Sequence, residues 1–202
     1  MAASVLFMSM SVDGYVAGPG DRPDNPGGDG FSRLHAWALS DDGQHVRPAG
    51  DAGSVVDDME ATGAVLSGRR TAEQVDHWGG THHGVPIFVV SHRPADAAIA
   101  AKYPDVTYVT DGIEAAMARA KARAGSRDVM VHGAKTAQRA LEAGVLDEMQ
   151  IHLVPVLFGK GLRLFDVLPT RIELDIVRVI DTPEATHIRY RIRRPSGLDA
   201  RR

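Results

Sequence analysis

Between Ala64 and Gly144 the chain repeats one pattern: a short apolar run, a small or polar residue, then apolar residues at helical spacing. Residues 64–67 lead through Gly68 into a helix over 69–75. Residues 86–91 (PIFVVS) are continuously apolar up to their final serine, as in a strand covered on both faces. Residues 106–109 precede Asp111, an N-cap with Glu114 three residues on, and a helix with Ile113, Ala116, Met117 and Ala120 on one face. Residues 128–131 run into Gly133 and a helix bearing Ala137, Ala140 and Leu141, which Gly144 ends. Strands joined through helices pair parallel, because the crossover returns the chain to the same end of the sheet. After Gly144 the pattern stops. Residues 148–157, 172–180 and 187–193 read as strands with no helix between them. The expectation is an α/β fold whose central sheet is mostly parallel, with antiparallel C-terminal strands.

Upstream, residues 5–11 form an apolar strand closed by the turn Asp13-Gly14. Residues 18–30 (GPGDRPDNPGGDG) have no periodicity and read as a mobile loop, a candidate lid. Two short helices follow, over 31–39 with Phe31, Leu34, Trp37 and Ala38, and over 51–60 with Val55, Val56 and Met59. The chain has 202 residues, which suits one domain over 1–194 and a flexible tail over 195–202. The absence of cysteine excludes disulfides, thiolate catalysis and Cys-ligated metals. A net charge of −3 argues against nucleic acid as a partner. No apolar run approaches the roughly 20 residues that span a bilayer, and the N-terminus lacks the basic start of a signal peptide. These features point to a soluble cytoplasmic protein with no membrane partner.

There is no G-x-G-x-x-G, Walker loop, G-x-S-x-G elbow or H-E-x-x-H motif. Chemistry therefore has to sit at the strand exits. Ser67-Gly68-Arg69-Arg70-Thr71 combines a glycine at a helix start with two guanidinium groups, which suits a phosphate. It equally describes a surface helix with solvated arginines. Ser91-His92-Arg93 leaves the apolar strand with a hydroxyl and two potential cations, where open α/β sheets bind ligands. An ordinary polar strand exit reads the same way. His132-Gly133-Ala134-Lys135-Thr136 feeds a third helix start through small residues. Three anion-competent junctions in one sheet suggest a nucleotide with several phosphates.

The ordered series VLFMSMSVDGYVAG, VLSGRRTAEQ, HWGGTHHGVPIFVVSHRP and DVMVHGAKTAQRALEAGVLDEMQIHLVPVLFGKGLRLF resembles the dihydrofolate-reductase-like superfamily. It is most similar to the branch that includes the reductase domain of riboflavin biosynthesis. The resemblance implies a three-layer α/β fold, a homodimer and NADPH as hydride donor. It implies that Gly68, Arg69, Arg70 and Thr71 lie under the cofactor phosphates, and that Ser91, His92 and Arg93 hold the 2′-phosphate. Gly133, Ala134, Lys135 and Thr136 would form the turn at the pyrophosphate, and Ser9, Ala17 and Gly18 would pass the nicotinamide. The family joins two glycines at that turn by a cis peptide. Here the first of the pair is His132, so the cis bond is expected at His132–Gly133.

Folate reductases carry a carboxylate on the helix after the mobile loop. The matching stretch FSRLHAWALSDDG has only Asp41 and Asp42 near its end, with His35 inside. Asp13 and His35 are therefore the candidate proton donors, although Asp13-Gly14 is first of all a turn. Trp37 could stack on a heterocycle or fill the core, and Phe158 would border the substrate. His77, His82 and His83 read as a Gly-rich loop rather than a metal site. The resulting expectation is an NADPH-dependent reductase acting on a C=N-type bond of a pyrimidine or pteridine-like substrate, with no metal. The alternative is a nucleotide-binding protein on the same fold without turnover. A third option is the riboflavin-biosynthesis reductase acting on a phosphoribosylamino-pyrimidine, whose second phosphate site would draw on Lys160 and Arg163.

Overall fold

A computed structural model of the chain describes residues 2–40, 46–166 and 168–194. Asp41, Asp42 and the expected tail over 195–202 lie outside the described residues. In chain order the elements are β1 (Ser4–Ser11), β2 (Tyr15–Ala17), α1 (Phe31–His35), α2 (Gly53–Glu60), β3 (Ala64–Gly68), α3 (Arg69–Gln74), β4 (Ile87–Val90), α4 (Ala97–Lys102), β5 (Val106–Val109), α5 (Ile113–Ala124), β6 (Val129–His132) and α6 (Ala134–Glu142). They continue with β7 (Glu148–Val154), β8 (Leu162–Arg163), β9 (Leu174–Asp181) and β10 (Thr186–Ile192).

Eight strands form one sheet in the order β5-β4-β3-β6-β1-β7-β10-β9. Pairing is parallel from β5 through β7, then antiparallel for β7 with β10 and β10 with β9. This is the expected sheet, and it has the dihydrofolate-reductase-like architecture. Its parallel part is apolar on both faces because both are covered. Leu6, Met8, Leu66, Val129 and Val131 pack with Ala116, Met117 and Ala120 of α5 and Ala137 and Ala140 of α6. The alternate residues Val5, Phe7, Val65, Ile87 and Met130 face the other way, onto Ala72 of α3 and Tyr103. The period of two along each strand thus separates two cores.

Several local expectations differ. The helix expected over 31–39 stops at His35. Helix α4 was not anticipated, because its alanines bury nothing and leave no apolar stripe. Gly112, rather than Asp111, caps α5, and the Asp111 carboxylate pairs instead with Arg119 at 2.6 Å. Strands β2 and β8 form a separate two-stranded sheet too short to leave a sequence signal.

The loop over 18–30 is well tied. Gly18 N donates to Gly27 O at 2.8 Å and Asp29 N to Pro19 O at 2.8 Å. Asp21 anchors it to α3 through Gln74 Nε2 and Arg70 Nη2, both at 2.7 Å. The composition that suggested mobility instead supplies tight turns: Gly20, Gly27, Gly28 and Gly30 all have positive φ.

Candidate active site

Sheet order brings the three junctions together. Strand β3 lies between β4 and β6, with Gly68 opposite Val90 and Ser67 opposite His132. The chain segments that leave these strands are therefore neighbours at one sheet edge, the position where open α/β sheets bind ligands. Gly68 and Gly133 cap α3 and α6 without any side-chain cap, so the first backbone N–H groups of α6 remain available for an anion. The two junctions also interlock. A Cβ on Gly68 would sit 2.8 Å from Thr136 Oγ1, and one on Gly133 would sit 2.9 Å from Thr71 Oγ1.

Over these junctions lies a cleft of about 310 Å³. It is lined by Gly68, Arg69, Arg70, Thr71, Ser91, His92, Arg93, Gly133, Ala134, Lys135 and Thr136, as well as Val90, Ile113, Arg139 and Leu162. Not all its cations are equally available. Arg69 holds Glu73 at 2.6 Å and Pro94 O at 3.2 Å, with its guanidinium 5.4 Å from the Tyr108 ring centre. Arg70 is bound to Asp21. His92, Arg93, Lys135 and Arg139 have no side-chain partner among the described residues. The Ser91 hydroxyl donates to Arg93 O at 2.6 Å and accepts from Arg93 N at 3.2 Å, which folds the strand exit into a turn. Arg139 escaped the sequence reading. Its only signal was its position four residues after Lys135, one helical turn along the same face.

A second cavity of about 400 Å³ adjoins the first, and Thr71, Gly133, Ala134 and Leu162 line both. Its walls include Phe31, Trp37 and Trp78, with Ser9, Ala17, His35, His132 and His152. Trp37 donates from Nε1 to Ser9 Oγ at 3.0 Å, and its ring centre lies 4.3 Å from that of His152. His132 Nδ1 is 3.1 Å from Phe7 O, which fixes Nδ1–H as donor. Burial, aided by repulsion from His35, pushes His132 down to about 4. Burial likewise holds His152 well below its ordinary value, and its Nδ1 lies 2.9 Å from His187 Nδ1. Both imidazoles are neutral near pH 7. Trp78 reaches the cavity from a strained turn in which Asp76, His77 and Trp78 have φ of 44°, 55° and 51°. Tyr103 and Lys102, both on Asp76 Oδ2, hold that turn in place.

Four expectations need correction. The His132–Gly133 peptide is trans, since the described residues contain no cis bond. Gly133 makes the turn through its positive φ of 97° instead. Asp13 lines neither cavity. Its carboxylate accepts from Ser11 Oγ at 2.6 Å, Phe158 N at 3.1 Å and Gly159 N at 2.7 Å. Those bonds, the Ser11 hydroxyl foremost, hold its pKa at about 2, so it is ionised and joins two turns rather than donating a proton. Phe158 also lies outside both cavities, against Leu34, Val154 and Ala185. Gly18 lines neither one, because a Cβ there would meet Asp29 O at 1.8 Å: it is packed beneath the loop.

Comparison with known proteins adds a family to this geometry. Residues 4–188 match the model of the RibD C-terminal domain family. The uncharacterized protein YwjB of Bacillus subtilis (strain 168) is 25% identical over 191 residues, covering 93% of this chain and 96% of YwjB. A protein of Shewanella sp. PV-4, attributed to riboflavin biosynthesis, superposes with a TM-score of 0.74 at 23% identity. That match covers 95% of this chain and 99% of the other. Dihydrofolate reductase of Enterococcus faecalis, complexed with NADP(H), gives 0.58 at 14% identity over 94% and 96% of the two chains. The deaminase/5-amino-6-(5-phosphoribosylamino)uracil reductase of Thermotoga maritima gives 0.57 at 14% identity, with 95% of this chain covering 56% of that one.

Proposed function

The chain belongs to the RibD C-terminal domain family, and from that premise we propose that it is an NADPH-dependent reductase acting on a C=N-type bond of a pyrimidine or pteridine-like ring. One observation carries the reading: a basic cleft over helix starts opens directly into an aromatic cavity, with four residues lining both. The residues fit the cofactor. The glycine at position 133 keeps the backbone close beneath the cleft, where a Cβ would meet Thr71. Lys135, Arg139 and Arg93 supply the charge its phosphates require, and His92 lies beside them. Bound there, NADPH would supply the hydride.

The chain's own residues bind, orient and exclude water. Ala17, Ser9 and His132 border the space beyond the shared residues, where the nicotinamide and the accepting ring would meet. The loop over 18–30, anchored by Asp21, closes one side and keeps bulk water out. With Asp13 committed elsewhere, His35 is the proposed proton donor to the reduced nitrogen. We place the enzyme in the cytoplasm as one domain over 1–194 and as a homodimer. Ile176, Val177 and Val179 of the edge strand β9 and Leu157 are exposed, which supports pairing through the C-terminal region.

Titration with NADPH and NADH tests the cofactor assignment: strong preference for NADPH is expected, and equal affinity overturns it. The alternative without turnover draws on one observation, that Asp21 alone contributes a carboxylate among the described residues lining the aromatic cavity, and it is fully engaged. Tight NADPH binding without oxidation on any pyrimidine or pteridine substrate would favour it.

A further inference from the structure

We infer that the aromatic cavity takes its heterocycle without a phosphate, so that the substrate is an uncharged pyrimidine or pteridine-type ring rather than a phosphoribosyl derivative. The inference rests on the reductase reading and narrows its substrate class. No lysine or arginine is among the described residues that line this cavity. Residues 41–45, which follow Leu39 and Ser40 in the chain, read DDGQH and contain neither. Of the four imidazoles on its walls, burial holds His132 and His152 neutral, which leaves His35 and His82 against the five lysine and arginine side chains of the neighbouring cleft. Asp21 cannot recruit a cationic substituent either. Its Oδ1 accepts from Gly27 N at 3.0 Å and Gln74 Nε2 at 2.7 Å, and its Oδ2 pairs with Arg70.

A phosphate moved from water into such walls would lose its hydration without gaining a guanidinium or ammonium partner. The neighbouring cleft shows what this fold uses when it does meet phosphate-type charge: Arg69, Arg70, Arg93, Lys135 and Arg139 all line it. What the cavity offers instead is flat aromatic surface and neutral polar atoms on Ser9, His132 and His152. Those suit a planar ring with its own N–H donors and carbonyl acceptors.

The test uses a built-in probe. The chain has two tryptophans, Trp37 and Trp78, and both line this cavity, so intrinsic fluorescence reports its occupation. The full chain is titrated with an aminopyrimidine riboside and with the 5′-phosphate of the same riboside, each with and without saturating NADP⁺. The riboside should bind about tenfold or more tighter. Equal or tighter binding of the phosphate overturns the inference. A second variant, Val75→Arg, places a cation on the cavity wall at a position 38% exposed. It should shift the preference between the two ligands about tenfold toward the phosphate. No gain from that cation would also overturn the charge argument. Failure of NADP⁺ to bind would instead remove the reductase reading, while the cofactor-free titrations would still decide the charge preference.

Discussion

The two halves of the cleft share a floor and almost nothing else. One is built from strand exits and helix starts, where geometry that any parallel sheet provides is supplemented by guanidinium and ammonium groups. The other is built from side chains of β1, β6 and β7 together with the loop and α1, and two of its imidazoles, His132 and His152, are held neutral by burial. The contrast teaches that charge selection here is local. Within the span of Thr71, Gly133, Ala134 and Leu162 the lining changes from one rich in lysine and arginine to one with neither among the described residues.

The sharpest way to break this comparison is to separate binding from chemistry. His35→Asn should lower kcat by about 10²- to 10⁴-fold, the usual range for general-acid help, while NADPH affinity stays unchanged. Steady-state NADPH oxidation beside a cofactor titration checks both, and an unaffected kcat removes His35 from the reaction.

Acid should damage the aromatic half first. A histidine whose folded pKa is depressed contributes stability that is present above its unfolded value near 6.5 and lost as pH falls toward the folded value. For His132 that value is about 4, set by burial. His152 and His187, also lowered by burial, act in the same direction. We expect a loss of roughly 3 kcal/mol from His132 across that window. Denaturant unfolding at about pH 7 and about pH 4.5 measures it, and His132→Gln should flatten the profile.

The paired substitution Lys135→Ala with Arg139→Ala acts on the other half. Loss of two charge-assisted contacts should weaken NADPH by roughly 30- to 100-fold, with riboside binding in the aromatic cavity intact. Titrations of the two ligands separate these effects, and a parallel loss of both would show that the halves are coupled.

The smallest effect is expected at the loop. Asp21→Asn removes an exposed-arginine ion pair whose usual contribution is under about 1 kcal/mol. It should raise amide exchange over 18–30 without changing NADPH affinity. Unaltered exchange would mean that the turns alone hold the loop.

How much of this was legible in the sequence follows from where the information sits. The sheet could be read because two-sided burial leaves continuous apolar runs, as in Ile87-Phe88-Val89-Val90, and an abrupt end of helical spacing after Gly144. The cleft-lining residues could be read because they lie next to the strands in sequence: Gly68 to Thr71, Ser91 to Arg93 and Gly133 to Thr136 line one cleft. The aromatic cavity was read poorly. His152 projects from the middle of β7, and Trp78 from a left-handed turn, so neither sits at a junction a sequence pattern marks. Asp13 misled because proximity in sequence to Ser9 and Ala17 does not survive the turn between β1 and β2, which directs its carboxylate toward Phe158 and Gly159. Arg139 was missed for the simpler reason that a single cation mid-helix resembles any solvated arginine.

The crossed contacts between Gly68 and Thr136 and between Gly133 and Thr71 have a historical consequence. Four positions on two distant stretches of chain constrain one another, so mutational drift at any of them is conditional on the rest. Enlarging either glycine displaces the hydroxyl of the threonine opposite, and Thr71 and Thr136 both line the cleft. An intermediate sequence would therefore carry an altered site before it gained anything from the new backbone. Lineages descending from such a chain should keep the quartet together or replace it together, even where the surrounding helices diverge.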